Sequence, residues 1–339
     1  MKKKWGLILL VLLSAVFFCL CIGRYPILPA HVAGLLLAGL GIETRSFEVP
    51  REMMMIFWNI RVPRIILSLL VGGGISTAGA VFQALFRNPL AAPDILGVTA
   101  GASFGAATAI MVLAPLAWVI QTSAFVFGIT AVFLAYVLAS WSRDHSPSVL
   151  VISGIVISAV FQAGLSFTMY LANPYDQLAQ IIFWTMGSFN AASWTKVGIL
   201  LFLVTPGVIL MVVFSWRLNL MTLEEEDALS MGIHIVQWRI FYVLLATLMV
   251  ACCVASVGSV AWIGLIVPHI ARYLAGSEHG RLIPVTAVLG AIFLMVMDTM
   301  ARSIMLSEIP ISIVTSIFGA PFLGYLVIRT GKESVKHES

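Results

Sequence analysis

Few residues in this chain carry chemistry, and their spacing is informative. Asp298 and Arg302 stand four apart with the acid first, which pairs them on one helical face. His269 follows Pro268 inside an apolar run. The stretch FRNPLAAPDILGVTAGASFGA (residues 86–106) sets Arg87, Asn88, two prolines and Asp94 between long apolar segments, then dissolves into small residues. A run of four acids, Glu224 to Asp227, sits in LEEEDALSMGIHI. An ionisable group inside a membrane is a functional candidate by default. The plainer alternatives stay open: a paired structural charge for Asp298, and a packed or hydrogen-bonded imidazole for His269. A proton relay would need more acids than these. No G-x-x-x-x-G-K-[ST] or H-E-x-x-H string occurs, which leaves no nucleotide-binding loop and no zincin motif on this chain.

The elements that must position these groups follow from composition. The chain has 339 residues, 60% hydrophobic and 10% charged, whereas soluble domains carry about 25% charged residues. That balance specifies an integral membrane protein. The formal charge of +4 comes without a basic patch interleaved with aromatics, so it fits loop asymmetry better than nucleic-acid binding. Cys19, Cys21, Cys252 and Cys253 lie in apolar runs without metal-ligand spacing and read as small hydrophobes.

A bilayer span needs about 20 apolar residues. Uncharged runs cover 5–23, 65–86, 95–142 (two spans divided near Pro115), 146–172, 197–216, 240–271 (two spans, with Gly258, Gly264 and Pro268), 282–304 and 309–328. The expectation is an all-α integral membrane protein of about ten transmembrane helices. The N-terminal stretch MKKKWGLILLVLLSAVFFCLC resembles a signal peptide, but no small-x-small cleavage site follows it, and it reads as the first span. An even count puts both termini on one side. Placing Lys2, Lys3 and Lys4 in the cytoplasm puts 12 of the 19 basic residues inside and 7 outside, in line with the positive-inside bias. The outside set includes Arg61, Arg64 and Arg302, which need a reason of their own.

Residues 43–58 read as an outside loop, 173–194 leave room for a short outside helix, and 217–239 form an inside loop. In that loop Glu224 to Asp227 favour a helix N-terminus, and Gly232 can cap its end. A solvated acidic face and a docking surface for a partner are both open readings. Gly72, Gly73, Gly74, Ala78 and Gly79, then Gly97, Gly101, Ala102 and Gly105, mark close helix packing or a path lined by small residues. Arg87–Asn88–Pro89 reads as a tight turn at the inner surface, with Asp94 beside the next helix start. VGGGISTAGAVFQALFRNPLAAPDILG and VASVGSVAWIGLIVPHIARYLAG begin on opposite sides, giving the chain inverted-repeat character.

Four stretches in order carry a resemblance: RVPRIILSLLVGGGISTAGAVFQALFRNPLAAPDILGVTAGAS, LEEEDALSMGIHI, GSVAWIGLIVPHIAR and DTMARSIMLSEIPISIVTSIFGAPFLGYLVIR. Over nearly its whole length the chain resembles the permease subunit of binding-protein-dependent ABC importers of the iron-siderophore, haem and cobalamin type (FecCD-type). The resemblance implies a single transmembrane permease domain, 1–339, in a bacterial cytoplasmic membrane with both termini inside. It implies a second permease subunit, identical or sister, an ATP-binding subunit dimer inside and a solute-binding protein outside. It implies no catalytic, cofactor or metal site on this chain, with ATP and Mg on the partner ATPase. It implies that loop 217–239 is the ATPase-coupling element, with Glu225, Glu226, Asp227, Ala228, Met231, Gly232 and Ile233 at its heart. It implies that Arg61, Arg64 and Arg302 face outward and receive acids of the binding protein. It implies a path along the subunit interface, walled in part by the fifth and tenth spans, that would hold Ser153, Ser158, Gln162 and Ser166, with a gate near Ser146 and Ser148. Pro147 and Ala261–Trp262 depart from the family pattern locally. The implied function is import of ferric siderophores. Haem or cobalamin import and an ion-coupled secondary transporter are the alternatives.

Overall fold

The computed structural model describes residues 2–42, 49–142, 146–221 and 235–338, with side chains left out at 2–5, 327 and 329–338. The described chain is helical: α1 (Lys2–Cys21), α2 (Pro29–Gly39), α3 (Arg51–Ile56), α4 (Val62–Leu85), α5 (Val98–Thr108), α6 (Ala117–Ser140), α7 (Pro147–Leu171), α8 (Gln177–Met186), α9 (Trp194–Val213), α10 (Ser215–Met221), α11 (Ile235–Val257), α12 (Ile263–Ala275), α13 (His279–Ser303) and α14 (Ile311–Glu338). A π turn, Phe57–Arg61, joins α3 to α4, and another, Ala109–Leu113, extends α5.

Among the described residues six helices are long and apolar enough to cross a bilayer: Arg51–Leu85, Ala117–Ser140, Pro147–Leu171, Trp194–Val213, Ile235–Val257 and His279–Ser303. The other apolar helices are shorter, so length and hydropathy alone do not establish ten spans. Two elements differ from the sequence reading. Residues 51–58 are not loop, because Met53 and Phe57 bury one face of a helix against α1 and α2. Helix α2, with Pro29 at its first turn, was not foreseen; proline there loses no intrahelical hydrogen bond.

The core forms around α4. In the apolar stretch of Arg51–Leu85, 83% of residues are buried, against 28% in α6, α7 and α9, so α4 is the axis and those three are peripheral. The small residues explain how. A Cβ on Gly72 would stand 2.3 Å from the Gly290 carbonyl of α13, and one on Gly79 would stand 1.9 Å from the Gly264 carbonyl of α12. Backbones approach this closely only without side chains, and such packing drives helix association where lipid removes the hydrophobic contrast. Gly101 and Gly105 bring α5 onto α6 in the same way, at Phe127 and Ser123. The outer faces of α7 and α9 present Ile152, Ile155, Val160, Phe167 and Phe202.

The Asn88–Pro89 break is deeper than a surface turn. After Arg87, residues 88–97 run back into the bundle, and Gly97 reaches Gly154 and Ser158 of α7. Ser158 is the twelfth of 25 residues in α7, so α5 starts near mid-height. From there Val98–Leu113 forms a shorter helix than the 25-residue α7 beside it. Gly97 has φ +85°, the left-handed region open to glycine. A second interruption separates α11 from α12, where Trp262 has φ +71° and donates its indole N–H to Ser316 of α14 at 3.0 Å. Both breaks are non-helical backbone held within protein, the condition under which a membrane tolerates it.

Candidate functional site

The two breaks open onto one trough. A cavity of about 360 Å³ is lined by Asp94, Thr99, Ser259, Trp262 and Leu265, and one of about 490 Å³ by Asp94, Thr99, Ser103, Ser158, Gln162 and Thr185. Asp94, Thr99 and Ser259 line both, so the cavities form a continuous wall from mid-height toward α8. Polar side chains at a discontinuous helix are the construction that solute pathways use. Of the path residues read from sequence, Ser158 and Gln162 stand on this wall. Ser158 donates to the Gly154 carbonyl at 2.7 Å, which turns its oxygen lone pairs outward as an acceptor. Ser153 is buried at 5% exposure, away from the trough, and Ser166 is exposed and donates to the Gln162 carbonyl at 3.0 Å. Ser146 and Ser148 sit at the start of α7, half-buried and exposed. Ser103 falls in a G-x-S-x-G string, but it lies inside α5 rather than at the strand-to-helix turn that exposes a hydrolase nucleophile.

Sequence reasoning did not assign Asp94, Thr99, Thr185 or Ser259 to this wall. Asp94 offered one signal, an acid between Pro93 and Gly97 in an otherwise uncharged segment. The others are hydroxyls whose partners are distant in sequence. His269 is hydrogen-bonded, as one of its readings had it: Nε2 meets the Pro89 carbonyl at 2.9 Å and ties α12 to the break.

At the end where α1 finishes and α4 begins, the arginine end, the expectation that Arg61, Arg64 and Arg302 face outward is corrected. They are buried, at 3%, 6% and 7% exposure, and engaged by their own chain. Arg64 grips two carboxylates. Its Nε and Nη2 donate to Asp298 at 2.9 and 2.8 Å, and its Nη1 and Nη2 donate to Glu308 at 2.9 and 3.1 Å. Arg302 lies 3.9 Å from Asp298, so the i, i+4 pairing exists, but Arg64 is the principal partner. Arg61 donates to the carbonyls of Leu20 at 2.6 Å and of Tyr25, and Arg302 to that of Cys19 at 2.8 Å. Cations at the end of α1 satisfy carbonyls that have no partner within the helix and complement its dipole. The physical reason for burial is balance: two guanidinium and two carboxylate charges neutralise each other, and the third arginine takes helix-end carbonyls. Beside this cluster a cavity of about 720 Å³ holds Lys196, whose Nζ donates to the Ser256 carbonyl at 2.7 Å.

At the opposite end Glu225, Glu226, Asp227, Ala228, Met231, Gly232 and Ile233 lie outside the described residues. The elements bracketing them are firmly tied. The Arg217 guanidinium carbon sits 3.8 Å from the Trp238 ring centre, a cation–π contact. Tyr242 donates to the Phe214 carbonyl at 2.7 Å. Arg272 donates to Gln83 at 2.5 Å, and Gln83 in turn to the Leu265 carbonyl at 3.2 Å. Glu278 accepts from the Gly280 and Arg281 amides at 2.7 and 3.1 Å, capping α13. The Gly280 amide foremost holds the Glu278 carboxyl below its ordinary range, helped by Asn219 and Arg281.

The FecCD transport family model matches residues 9–329. The molybdate import system permease protein of Haemophilus influenzae is 36% identical over 97% of this chain and 96% of its own length. The iron(3+)-hydroxamate import system permease protein of Bacillus subtilis is 36% identical over 81% of this chain and 84% of its own. A solved ABC transporter in an inward-facing conformation superposes with a TM-score of 0.86 at 33% identity, covering 97% of this chain and 100% of that one.

Proposed function

The chain belongs to the FecCD transport family as an ABC importer permease, a transport subunit and not itself an enzyme, and on that premise we propose that its cargo is a ferric siderophore. The observation that carries this reading is the trough wall of Thr99, Ser103, Ser158, Gln162, Thr185 and Ser259. Hydroxyls and an amide suit a large chelate rich in carbonyl and N–O oxygens, and among the described residues no lysine or arginine lines either cavity to hold an oxyanion. The relative named for iron(3+)-hydroxamate import supports the same reading. The relative named for molybdate import favours a second, an oxyanion cargo. Haem and cobalamin are the remaining candidates.

In this reading the chain crosses a bacterial cytoplasmic membrane as a single permease domain, with both termini and loop 217–239 in the cytoplasm. Glu225 to Ile233 engage the ATPase dimer, which holds ATP and Mg. A second permease subunit, a copy or a sister chain, faces the exposed side of α7 and closes the trough, with the gate near Ser146 and Ser148. The two breaks relate two inverted halves. The binding protein docks at the arginine end, where Arg61, Arg64 and Arg302 hold the face in shape from within.

The test is uptake by cells lacking the gene and by complemented cells, with radiolabelled ferric siderophores, haem, cobalamin and molybdate supplied in parallel. Siderophore-iron uptake that disappears with the gene and returns with it supports the proposal. Unchanged iron uptake with loss of molybdate, haem or cobalamin uptake overturns the substrate and leaves the importer.

A further inference from the structure

The trough contains one charge that the proposed function does not use. Asp94 is exposed, lines both cavities, and forms no ion pair among the described residues. Its position is set by the break. Pro93 lies against Gly264 of α12, Gly97 against Ser158 and Gly154 of α7, and the Gly97 amide donates to the Asp94 carbonyl at 2.7 Å. The carboxylate is therefore fixed near mid-height, where α5 begins, and among the described residues no basic side chain shares its cavities. Asp298 and Glu308 are taken up by Arg64, and Asp176 and Glu278 cap helices α8 and α13. Among the described residues Asp94 is the acid that lines these cavities.

We propose that Asp94 sets the charge selectivity of the translocation trough, admitting neutral and cationic metal chelates and opposing anions. An acidic side chain on a pore wall raises the local concentration of cations and lowers that of anions, as acidic rings do in cation channels. The effect is strengthened where protein walls limit screening. Three hydroxamate monoanions cancel the charge of Fe(III), and a cationic tail makes the chelate positive. Three catecholate dianions leave a trianion, and molybdate is a dianion. The trough therefore favours hydroxamate chelates over both. This inference rests on the reading of the trough as the path.

The test reads trough electrostatics without any cargo. In membranes carrying the assembled importer, Cys19, Cys21, Cys252 and Cys253 are replaced by alanine, and a single reporter is introduced as Thr99→Cys or Ser158→Cys. The rates of modification by a trimethylammonium-ethyl and a sulfonato-ethyl methanethiosulfonate are compared, each normalised to a small free thiol. A carboxylate within about a Debye length of the reporter favours the cationic reagent over the anionic one several-fold. Asp94→Asn should collapse that preference several-fold at both reporters and leave it unchanged at Ser166→Cys, which lies off the wall. An unchanged ratio in Asp94→Asn overturns the proposal, as does failure of both reporters to react with either reagent. A parallel uptake arm compares neutral ferric trihydroxamate with ferric tricatecholate in Asp94 and Asp94→Asn cells. Should no siderophore be transported while the reagent ratio behaves as expected, the cargo assignment fails and the charge filter stands.

Discussion

Replacing Arg64 with methionine leaves Asp298, at 2% exposure, with only the more distant Arg302 beside it, 3.9 Å away. Five hydrogen bonds at 2.8 to 3.2 Å vanish, three to Asp298 and two to Glu308. Breaking a buried pair by removing one partner costs about 3–5 kcal/mol, because the remaining charge is left uncompensated. The remaining contact with Arg302, and the partial exposure of Glu308, whose side chain can turn to water, place Arg64→Met near the lower figure. At roughly 2 °C per kcal/mol for a chain of this size, the melting temperature should fall by about 6 °C or more. Removing both partners is different, since apolar residues of similar volume can replace a buried pair at little cost. Arg64→Met/Asp298→Leu should therefore recover most of the loss. The assay is thermal unfolding of the purified protein in detergent for the two single variants and the double variant, analysed as a double-mutant cycle. A melting temperature of Arg64→Met equal to that of the parent, or single-variant losses that simply add in the double variant, would refute the argument that this arginine is an internal staple.

Three further outcomes follow from the packing. Gly79→Ala forces α4 and α12 apart, because the new Cβ meets the Gly264 carbonyl at 1.9 Å and neither backbone can yield locally; a loss of about 1–3 kcal/mol in unfolding free energy is expected, and an unchanged melting curve would contradict the close approach. Glu278→Ala removes the cap of α13 and costs about 1 kcal/mol at neutral pH. Because the folded state holds the Glu278 carboxyl below its ordinary value of 4.5, that contribution is present above pH 4.5 and fades as pH falls through the folded value; parent and variant should converge in acid, and a constant gap would contradict the charged cap. Trp238→Ala removes the ring beneath Arg217 and should lower the melting temperature by the equivalent of about 1 kcal/mol, with less ATPase copurifying, whereas Trp238→Phe should keep most of both. Copurification unaffected by either change would detach this stem from coupling.

The long apolar runs made most helices legible, since a bilayer imposes length and hydropathy on each crossing. The division at Pro115 and the interruption around Gly258 were visible because proline and glycine punctuate locally. The depth of the Asn88–Gly97 break was not, because nothing in its local pattern reveals that Gly97 packs against Ser158, 61 positions later. Helix α3 opens on Arg51 and Glu52, and those charges made it read as loop. The Asp298–Arg302 spacing announced a pair, yet the stronger bond runs 234 positions back to Arg64, a separation that leaves no periodic signal. The span count put the arginines on the outer side, and the reading that they receive acids of a binding protein came from resemblance alone. Their burial depends on carbonyls at the end of α1 and on Glu308, groups that only the folded chain assembles.

The most direct test of the central claim is uptake of a radiolabelled ferric hydroxamate into proteoliposomes containing the purified importer, with its binding protein on one side and ATP on the other. Uptake should require ATP and the binding protein, withstand collapse of ion gradients, and be lost when Glu225, Glu226 and Asp227 are replaced by alanine. Uptake that proceeds without ATP and disappears with the ion gradient would contradict that claim.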